Sequence, residues 1–337
     1  MADWRRALRA DPLPWLLEQD TPAVRHLALR LLLDRSEDDP TVRRARSRAM
    51  KVHPIGSILE AQESEGYWVK PGSGYSPKYT GTAWSVMFLD QMGADPLDRR
   101  VRRAVEYVLA HTIARNGGFG QSGSTTAAPA NSTVLHCLNG NLLRAVIGFG
   151  YLDDDRTRGA IDWEARSITG EGFEGYQRWG TSGPGFSCAI NGTLPCAWGA
   201  NKALRGLARI PARRRTALVR RAIDAGSEFL LSVDPSTAEY PTDTRISDNW
   251  FKLGFPLGYV GDVLETLEAL ADAGRAKDLR LGNAIEWLLS LQDERGRWRN
   301  RHAYNGKTWG EVEHQGPPSK WVTLRACAFL KRAATVG

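Results

Sequence analysis

The chain is poor in the residues that most often announce chemistry. Its 337 residues hold 4 cysteines, 4 methionines and 6 histidines. Four cysteines in a chain of this length do not make a disulfide scaffold. No apolar run reaches the roughly 18–20 residues that a membrane span needs. The opening Met1-Ala2-Asp3-Trp4-Arg5-Arg6 carries no apolar core of a signal peptide, so the cytoplasm is the expected location. Phosphate-loop, dinucleotide-glycine, G-x-S-x-G and H-E-x-x-H strings are all missing, which removes the common nucleotide-dependent, serine-hydrolase and zincin readings. His53, His111 and His302 have no partner spacing and read as surface or packing residues.

What is present is ordinary in bulk: 42% hydrophobic and 25% charged residues, as in a globular protein. The net charge of +7 comes mostly from arginine, in runs such as Arg43-Arg44-Ala45-Arg46, Arg99 to Arg103 and Arg213-Arg214-Arg215. Such runs raise nucleic acid as a partner, but no nucleic-acid motif accompanies them. They fall at the starts of charged helices and read as solvated outer faces; contact with an anionic membrane rim is the alternative.

The strongest signal is a repeat. Ala104-Val105-Glu106, Ala160-Ile161-Asp162, Ala222-Ile223-Asp224 and Ala284-Ile285-Glu286 recur at intervals of about 60 residues, each in the second of two helical stretches. A period of helix pairs predicts stacked α-hairpins that bury their apolar faces only against neighbours. A second string, Gln62-Glu63-Ser64-Glu65-Gly66-Tyr67-Trp68, returns as Gln292-Asp293-Glu294-Arg295-Gly296-Arg297-Trp298. Both read Q-x3-G-x-W: a glycine that stops a helix, then an aromatic placed to pack across to the next unit. Weaker relatives lie at Gly117-Gly118-Phe119 and Gly170-Glu171-Gly172-Phe173.

These strings, set in α-hairpins of this period, resemble the repeat of the terpenoid cyclase and protein prenyltransferase toroids, from about Leu59 to Leu330. Cys137 to Leu143, Lys252 to Pro256 and Pro318 to Arg325 look more narrowly like poorly characterised bacterial proteins called squalene-cyclase-like. The resemblance implies an all-α fold, an α/α toroid of about six helical hairpins with long loops at one end. It implies an isoprenoid or similar apolar small-molecule substrate in a central cavity, and surface attachment to membrane has precedent among squalene cyclases. It does not fix a reaction, because fold does not imply function. The D-x-D-D and D-D-x-x-D strings of the two cyclase classes are absent. Asp153-Asp154-Asp155 lies in a short link and reads as helix-capping acids.

Residues 1–50 lack the repeat and are expected to be an N-terminal helical extension packing on a toroid of residues 51–337. Helices are predicted near 54–63, 80–93, 98–112, 137–149, 155–168, 196–209, 214–232, 259–273, 278–292 and 319–334. The first member of each pair is the more apolar, as in Thr82 to Leu89, and is assigned to an inner ring. Links from outer to inner helices are long, about 113–136, 169–195, 233–258 and 293–318, and all emerge where inner helices begin. Long loops in a compact domain are usually functional, so the mouth is expected at that end.

Candidate site residues follow from that placement. Cys137-Leu138-Asn139-Gly140 and Cys196-Ala197-Trp198-Gly199 both open inner helices, one repeat apart, with Cys188 in the loop before. Thiolates at helix starts suit zinc, and protein prenyltransferases hold a catalytic zinc near the mouth of their ring. Zn²⁺ bound by Cys137, Cys188 and Cys196 is therefore an expected cofactor, with free thiols as the alternative. The resemblance does not supply the ligand set, since the D-x-C string is absent. Asp262, in Tyr259-Val260-Gly261-Asp262, and Asp248 are candidate acids beside Tyr259, because a carboxylic acid among aromatics has a raised pKa; for Asp262 the alternative is a helix-start acid. Twelve tryptophans are many for this length. Trp84, Trp198, Trp250 and Trp321 fall near inner-helix starts, where ring faces can stabilise cations or simply fill a core. Lys78, Lys252 and Lys320 sit near the same ends and are candidates for a diphosphate or acidic ligand. The sequence thus points to a terpenoid-cyclase-like or prenyltransferase-like enzyme, with a non-catalytic ligand- or protein-binding toroid as the other reading.

Overall fold

A computed structural model describes residues 4–173 and 181–334. The fold is helical: α1 (Leu13–Leu16), α2 (Pro22–Leu31), α3 (Pro40–Ala49), α4 (Ile55–Glu60), α5 (Thr82–Gln91), α6 (Arg99–His111), α7 (His136–Gly148), α8 (Asp155–Thr169), α9 (Ala197–Ala208), α10 (Ala217–Leu231), α11 (Val263–Asp272), α12 (Gly282–Ser290) and α13 (Lys320–Ala334). Among the described residues the only β structure is isolated bridges between loops.

Side-chain pattern sorts these helices into two rings. In α5 every residue but Asp90 is buried, the mark of a helix surrounded on all sides. In α6 the buried Val101, Ala104, Val105 and Val108 form one stripe at helical spacing, and the arginines of Arg99 to Arg103 face away. The inner helices meet in the order α5, α7, α9, α11, α13, α2. The closest approach is between α7 and α9. A Cβ on Gly140 would fall 2.3 Å from the Lys202 backbone carbon, and one on Gly206 2.6 Å from the Gly140 oxygen. That is why the C-x-x-G string keeps its glycine in α7.

The N-terminal segment completes the ring. Helix α2 packs on α13 and pairs with α3, and its Leu27 reaches Gly93 just past α5. The Q-x3-G-x-W turns show the same logic in hydrogen bonds. Trp68 Nε1 donates to Ile58 O (2.7 Å) and Trp298 Nε1 to Leu288 O (2.8 Å). The backbone N–H of Trp68 donates to Thr82 Oγ1 and that of Trp298 to Thr323 Oγ1, at 3.1 and 3.0 Å. Gln62 donates to Arg100 O (3.0 Å) on the next outer helix, α6. Gln292 accepts from Arg9 N (2.7 Å), so the segment before α1 stands where the next outer helix would. Gly66 and Gly296 have φ of 105° and 76°, the left-handed turn for which glycine was expected. Each fully buried tryptophan removes about 200 Å² from water, about 5 kcal/mol as an upper bound.

Outer helices start on a repeated cap. Asp98, Asp154 and Asp278 each accept from the backbone N–H two residues on, at 2.8, 2.9 and 3.0 Å. Arg100, Arg156 and Arg280 fold back onto the same aspartates. Arg100, within the run Arg99 to Arg103, is thereby tied to outer-ring capping.

Candidate functional site

The end of the ring where inner helices begin is filled. The loop from Leu253 to Tyr259 descends into the lumen and is held from every side. Gln91, at the far end of α5, donates to Leu257 O and accepts from Leu257 N, both at 2.8 Å. Asn141 of α7 donates to Gly258 O (3.2 Å), and Arg325 of α13 donates to Gly254 O (2.6 Å). Above this loop the aromatic side chains pack on one another. Tyr79 stacks on Tyr304 with centroids 4.2 Å apart, and Trp84 contacts Tyr75, Tyr79, Phe88 and Tyr259. Trp84 is buried and donates its Nε1–H to Tyr75 O (2.8 Å). Burial pushes the Tyr304 hydroxyl well above its ordinary pKa.

The residues singled out from the sequence fall into several places. Lys78 lies over the Tyr259 ring at 4.8 Å, so Lys78, Trp84 and Tyr259 belong to the aromatic cluster. Trp321 stacks flat on Phe255 at 4.3 Å, under the descending loop. Trp198 and Trp250 lie 6.1 Å apart beside Cys188 and Cys196, around a smaller pocket of about 200 Å³. Lys320 is engaged by Glu18 (2.8 Å) and Asp20 (2.5 Å) of the N-terminal segment. Lys252 is exposed, and Asp248 is on the surface, 3.7 Å from Arg245.

Asp262 is the N-cap of α11, the position Cys196 holds in α9. Its oxygens accept from Glu265 N (2.6 Å), Gly254 N (3.1 Å) and Arg325 Nη2 (3.3 Å). Its acceptor sites are thus taken up in fixing α11, the loop and Arg325.

Cys188 and Cys196 line the same small pocket. The thiol of Cys196, with the backbone N–H of Ile190 and Asn191, lowers Cys188 to about 6. Burial pushes Cys137 up to about 12. Behind them His136 is buried, with Nδ1 2.8 Å from Glu164 and Nε2 3.0 Å from Gly183 O. Burial works against a charged ring there, but the Glu164 hydrogen bond and charge outweigh it, and the net shift is upward. Among the described residues no three His, Cys, Asp or Glu side chains gather as a metal site.

A larger open volume lies toward the other end. A cavity of about 490 Å³ is walled by all six inner helices, among them the C-terminal parts of α2, α5, α7 and α9 and the N-terminal half of α13, within the roughly 300–1,000 Å³ usual for small-molecule sites. Its ceiling is apolar: Phe255, Leu257, Trp321 and Leu324. Its sides carry Arg30, Arg46, Arg144, Arg205, Arg209 and Arg325 against Glu37, Asp90 and Glu268. The long outer-to-inner loops, from which the mouth was expected, close their own end with the Leu253–Tyr259 segment; the short links leave theirs open.

The arginines differ in how far they are used. Arg325 pairs with Glu268 (2.8 Å) and Asp262; Arg205 pairs with Glu268 (3.0 Å) and Asp272 (3.3 Å). Burial alone would raise Glu268, but the charges of Arg205 and Arg325 outweigh it and hold its carboxyl at about 2. Arg144 is different. Among the described residues it has one ion pair, to Asp90 at 3.3 Å, and no hydrogen bond. Burial, and then the charge of Arg205, lowers it to about 10, still a cation at neutral pH. Near the C-termini of α7 and α9 the helix dipole favours cations such as Arg144 and Arg205. It leaves the donors of Arg144 unused. The sequence carried a signal for this site: charges inside otherwise apolar inner helices, as in Leu142-Leu143-Arg144-Ala145-Val146 and Lys202-Ala203-Leu204-Arg205.

No family model and no curated protein matches the chain. Solved structures to which it is similar include a protein from Actinoplanes, at 16% identity and a TM-score of 0.30 over 83% of this chain and 97% of that one. The type II terpene cyclase MstE from Scytonema is similar at 15% identity and a TM-score of 0.29, over 83% and 96%. A variant of that cyclase solved with geranylgeranyl dihydroxybenzoate gives 15% identity and 0.29, over 83% and 95%.

Proposed function

We propose that the ring binds an amphipathic anion in the arginine-lined cavity, with a prenyl diphosphate as the representative chemistry. The observation that carries this is Arg144: a cation lining a 490 Å³ cavity, with one carboxylate partner and no hydrogen bond among the described residues. A guanidinium fork matches phosphate and carboxylate oxygens. Arg209, half exposed and 3.8 Å from the other oxygen of Asp90, supplies a second fork beside it. The apolar ceiling of Phe255, Leu257 and Trp321 suits a hydrocarbon tail, and the resemblance of the Q-x3-G-x-W repeat to isoprenoid-handling toroids agrees with that class.

One observation favours binding over protonation-initiated cyclisation. A carboxyl that protonates an olefin must itself carry a proton. Glu268, in the cavity wall, is held ionised by Arg205 and Arg325. Asp262 is assigned a positioning role, through Arg325, and no step is assigned to zinc.

Titration calorimetry with farnesyl diphosphate and, in parallel, farnesol tests this. The diphosphate should bind and the alcohol bind far more weakly. Arg144→Gln should weaken the diphosphate roughly 10–150-fold, the 1.5–3 kcal/mol of a hydrogen bond to a charged group, with folding checked by circular dichroism. Equal binding of alcohol and diphosphate, or no effect of Arg144→Gln, would overturn the proposal.

A further inference from the structure

A second site stands apart from the central cavity, where the loop before α9 turns back on itself. Antiparallel bridges join Ser182 to Cys188 and Ser187 to Pro195. The backbone N–H of Cys188 donates to Leu194 O (3.1 Å), and that of Cys196 donates to Phe186 O (2.9 Å). In this register Cys188 lies opposite Leu194 and Cys196 opposite Phe186. The two cysteines are diagonal neighbours on one face of the turn. Asn191-Gly192-Thr193 makes the tip, with Gly192 and Thr193 at φ of 59° and 68°. That reversal holds the two strands of the turn together without any covalent link.

The geometry favours chemistry between the two sulfurs. Each lies close enough to shift the acidity of the other, Cys188 downward and Cys196 upward. Cys196 caps α9, its Sγ accepting from Gly199 N at 3.4 Å. Of the two, Cys188 is the one whose thiolate, the reactive form of cysteine, is favoured. Both sulfur-bearing residues line one pocket of about 200 Å³, walled by Trp198, Tyr240 and Trp250 and opening past the exposed Ile190 and Arg245. A small oxidant can therefore reach the pair. Cys327 is enclosed in α13, and Cys137 lies outside that pocket's walls.

We propose that Cys188 and Cys196 form a redox-active dithiol that closes to an intramolecular disulfide when hydrogen peroxide enters this pocket. The Cys188 thiolate attacks one peroxide oxygen, the O–O bond breaks, and the departing hydroxide takes up a proton as water. Cys188 is then a sulfenic acid. Cys196 loses its proton to solvent, and its sulfur attacks the sulfenic sulfur. The S–O bond breaks, and hydroxide leaves and is protonated to a second water. Two thiols are oxidised to one disulfide and one peroxide is reduced to two waters; a thiol reductant reverses the step.

The test uses the full chain, treated at neutral pH with hydrogen peroxide, blocked with N-ethylmaleimide and digested with trypsin. The peptide after Arg178 and up to Lys202 contains both cysteines. It should appear unalkylated and lighter by two hydrogens, and dithiothreitol should restore two alkylation sites. Cys137→Ser should leave this unchanged. Cys196→Ser should instead let dimedone label Cys188, the trapped sulfenic acid, and that readout holds even if the disulfide strains the fold. Urea-unfolded protein should form the bridge at least tenfold more slowly, since the turn that aligns the sulfurs is gone. The proposal is overturned if both cysteines remain alkylatable, if the bridge pairs Cys137 instead, if dimedone labels another cysteine first, or if the unfolded chain reacts as fast.

Discussion

Gln91 is the pin that holds the lumen loop, and its replacement is a sharp test of how the ring is filled. Its side chain reaches from the C-terminal end of α5 to Leu257 and makes two hydrogen bonds of 2.8 Å with that backbone. Leucine at this position has nearly the same shape and no polar atoms. Gln91→Leu would leave the Leu257 N–H and C=O buried without this partner, at about 1–3 kcal/mol per group, so about 2–6 kcal/mol together. Part of the cost is escaped if the loop opens locally instead of the whole ring unfolding. Hydrogen exchange read amide by amide separates the two. With about 3 kcal/mol lost, the Leu257 amide should exchange about 100-fold faster, while amides in the middle of α7 and α9 change far less. Protection at Leu257 within about threefold of the parent would refute the claim that Gln91 anchors the loop.

Three further outcomes follow from buried features. Lys202 and Glu265 form an ion pair at 0% and 1% exposure; Lys202→Met alone should cost about 3–5 kcal/mol by stranding a charge, whereas Lys202→Met with Glu265→Leu should recover most of it, as read by chemical denaturation. His136 is raised in the fold, so its charged ring contributes stability that is complete below about pH 6.5 and is lost as the pH rises through its elevated folded value. Glu164→Gln should therefore cost about 3 kcal/mol at pH 6 and progressively less at higher pH; a difference that grows with pH would contradict this. Gly140→Ala places a methyl 2.3 Å from the α9 backbone and should destabilise by at least the 1–3 kcal/mol of ordinary overpacking, and an unchanged melting temperature would show that α7 and α9 separate freely.

Much of the architecture was legible because it is carried by local pattern. Apolar first helices and one-sided second helices sorted themselves into inner and outer rings, and the glycine of Q-x3-G-x-W marked turns whose φ values are positive. The role of residues 1–50 in closing the ring was less legible. It depends on contacts such as Arg9 with Gln292 and α2 with α13, which join opposite ends of the chain. The open end was misplaced for a similar reason. Long loops suggest a mouth, but Leu253-Gly254-Phe255-Pro256-Leu257-Gly258 is apolar enough to leave water and enter the lumen. The candidate residues at inner-helix starts therefore surround a packed plug and a small side pocket. The charges of the cavity were visible as single letters in apolar helices, yet nothing local shows that Arg144, Arg205 and Arg325, from three repeats, converge.

The measurement that bears most directly on the central claim is a crystal structure of the protein soaked with a non-hydrolysable farnesyl thiodiphosphate. The account predicts diphosphate density against the guanidinium groups of Arg144 and Arg209, with the chain running beneath Phe255 and Trp321 and the Leu253–Tyr259 loop still in place. Ligand seated instead among Trp84, Tyr79 and Tyr304, with that loop expelled, would contradict it.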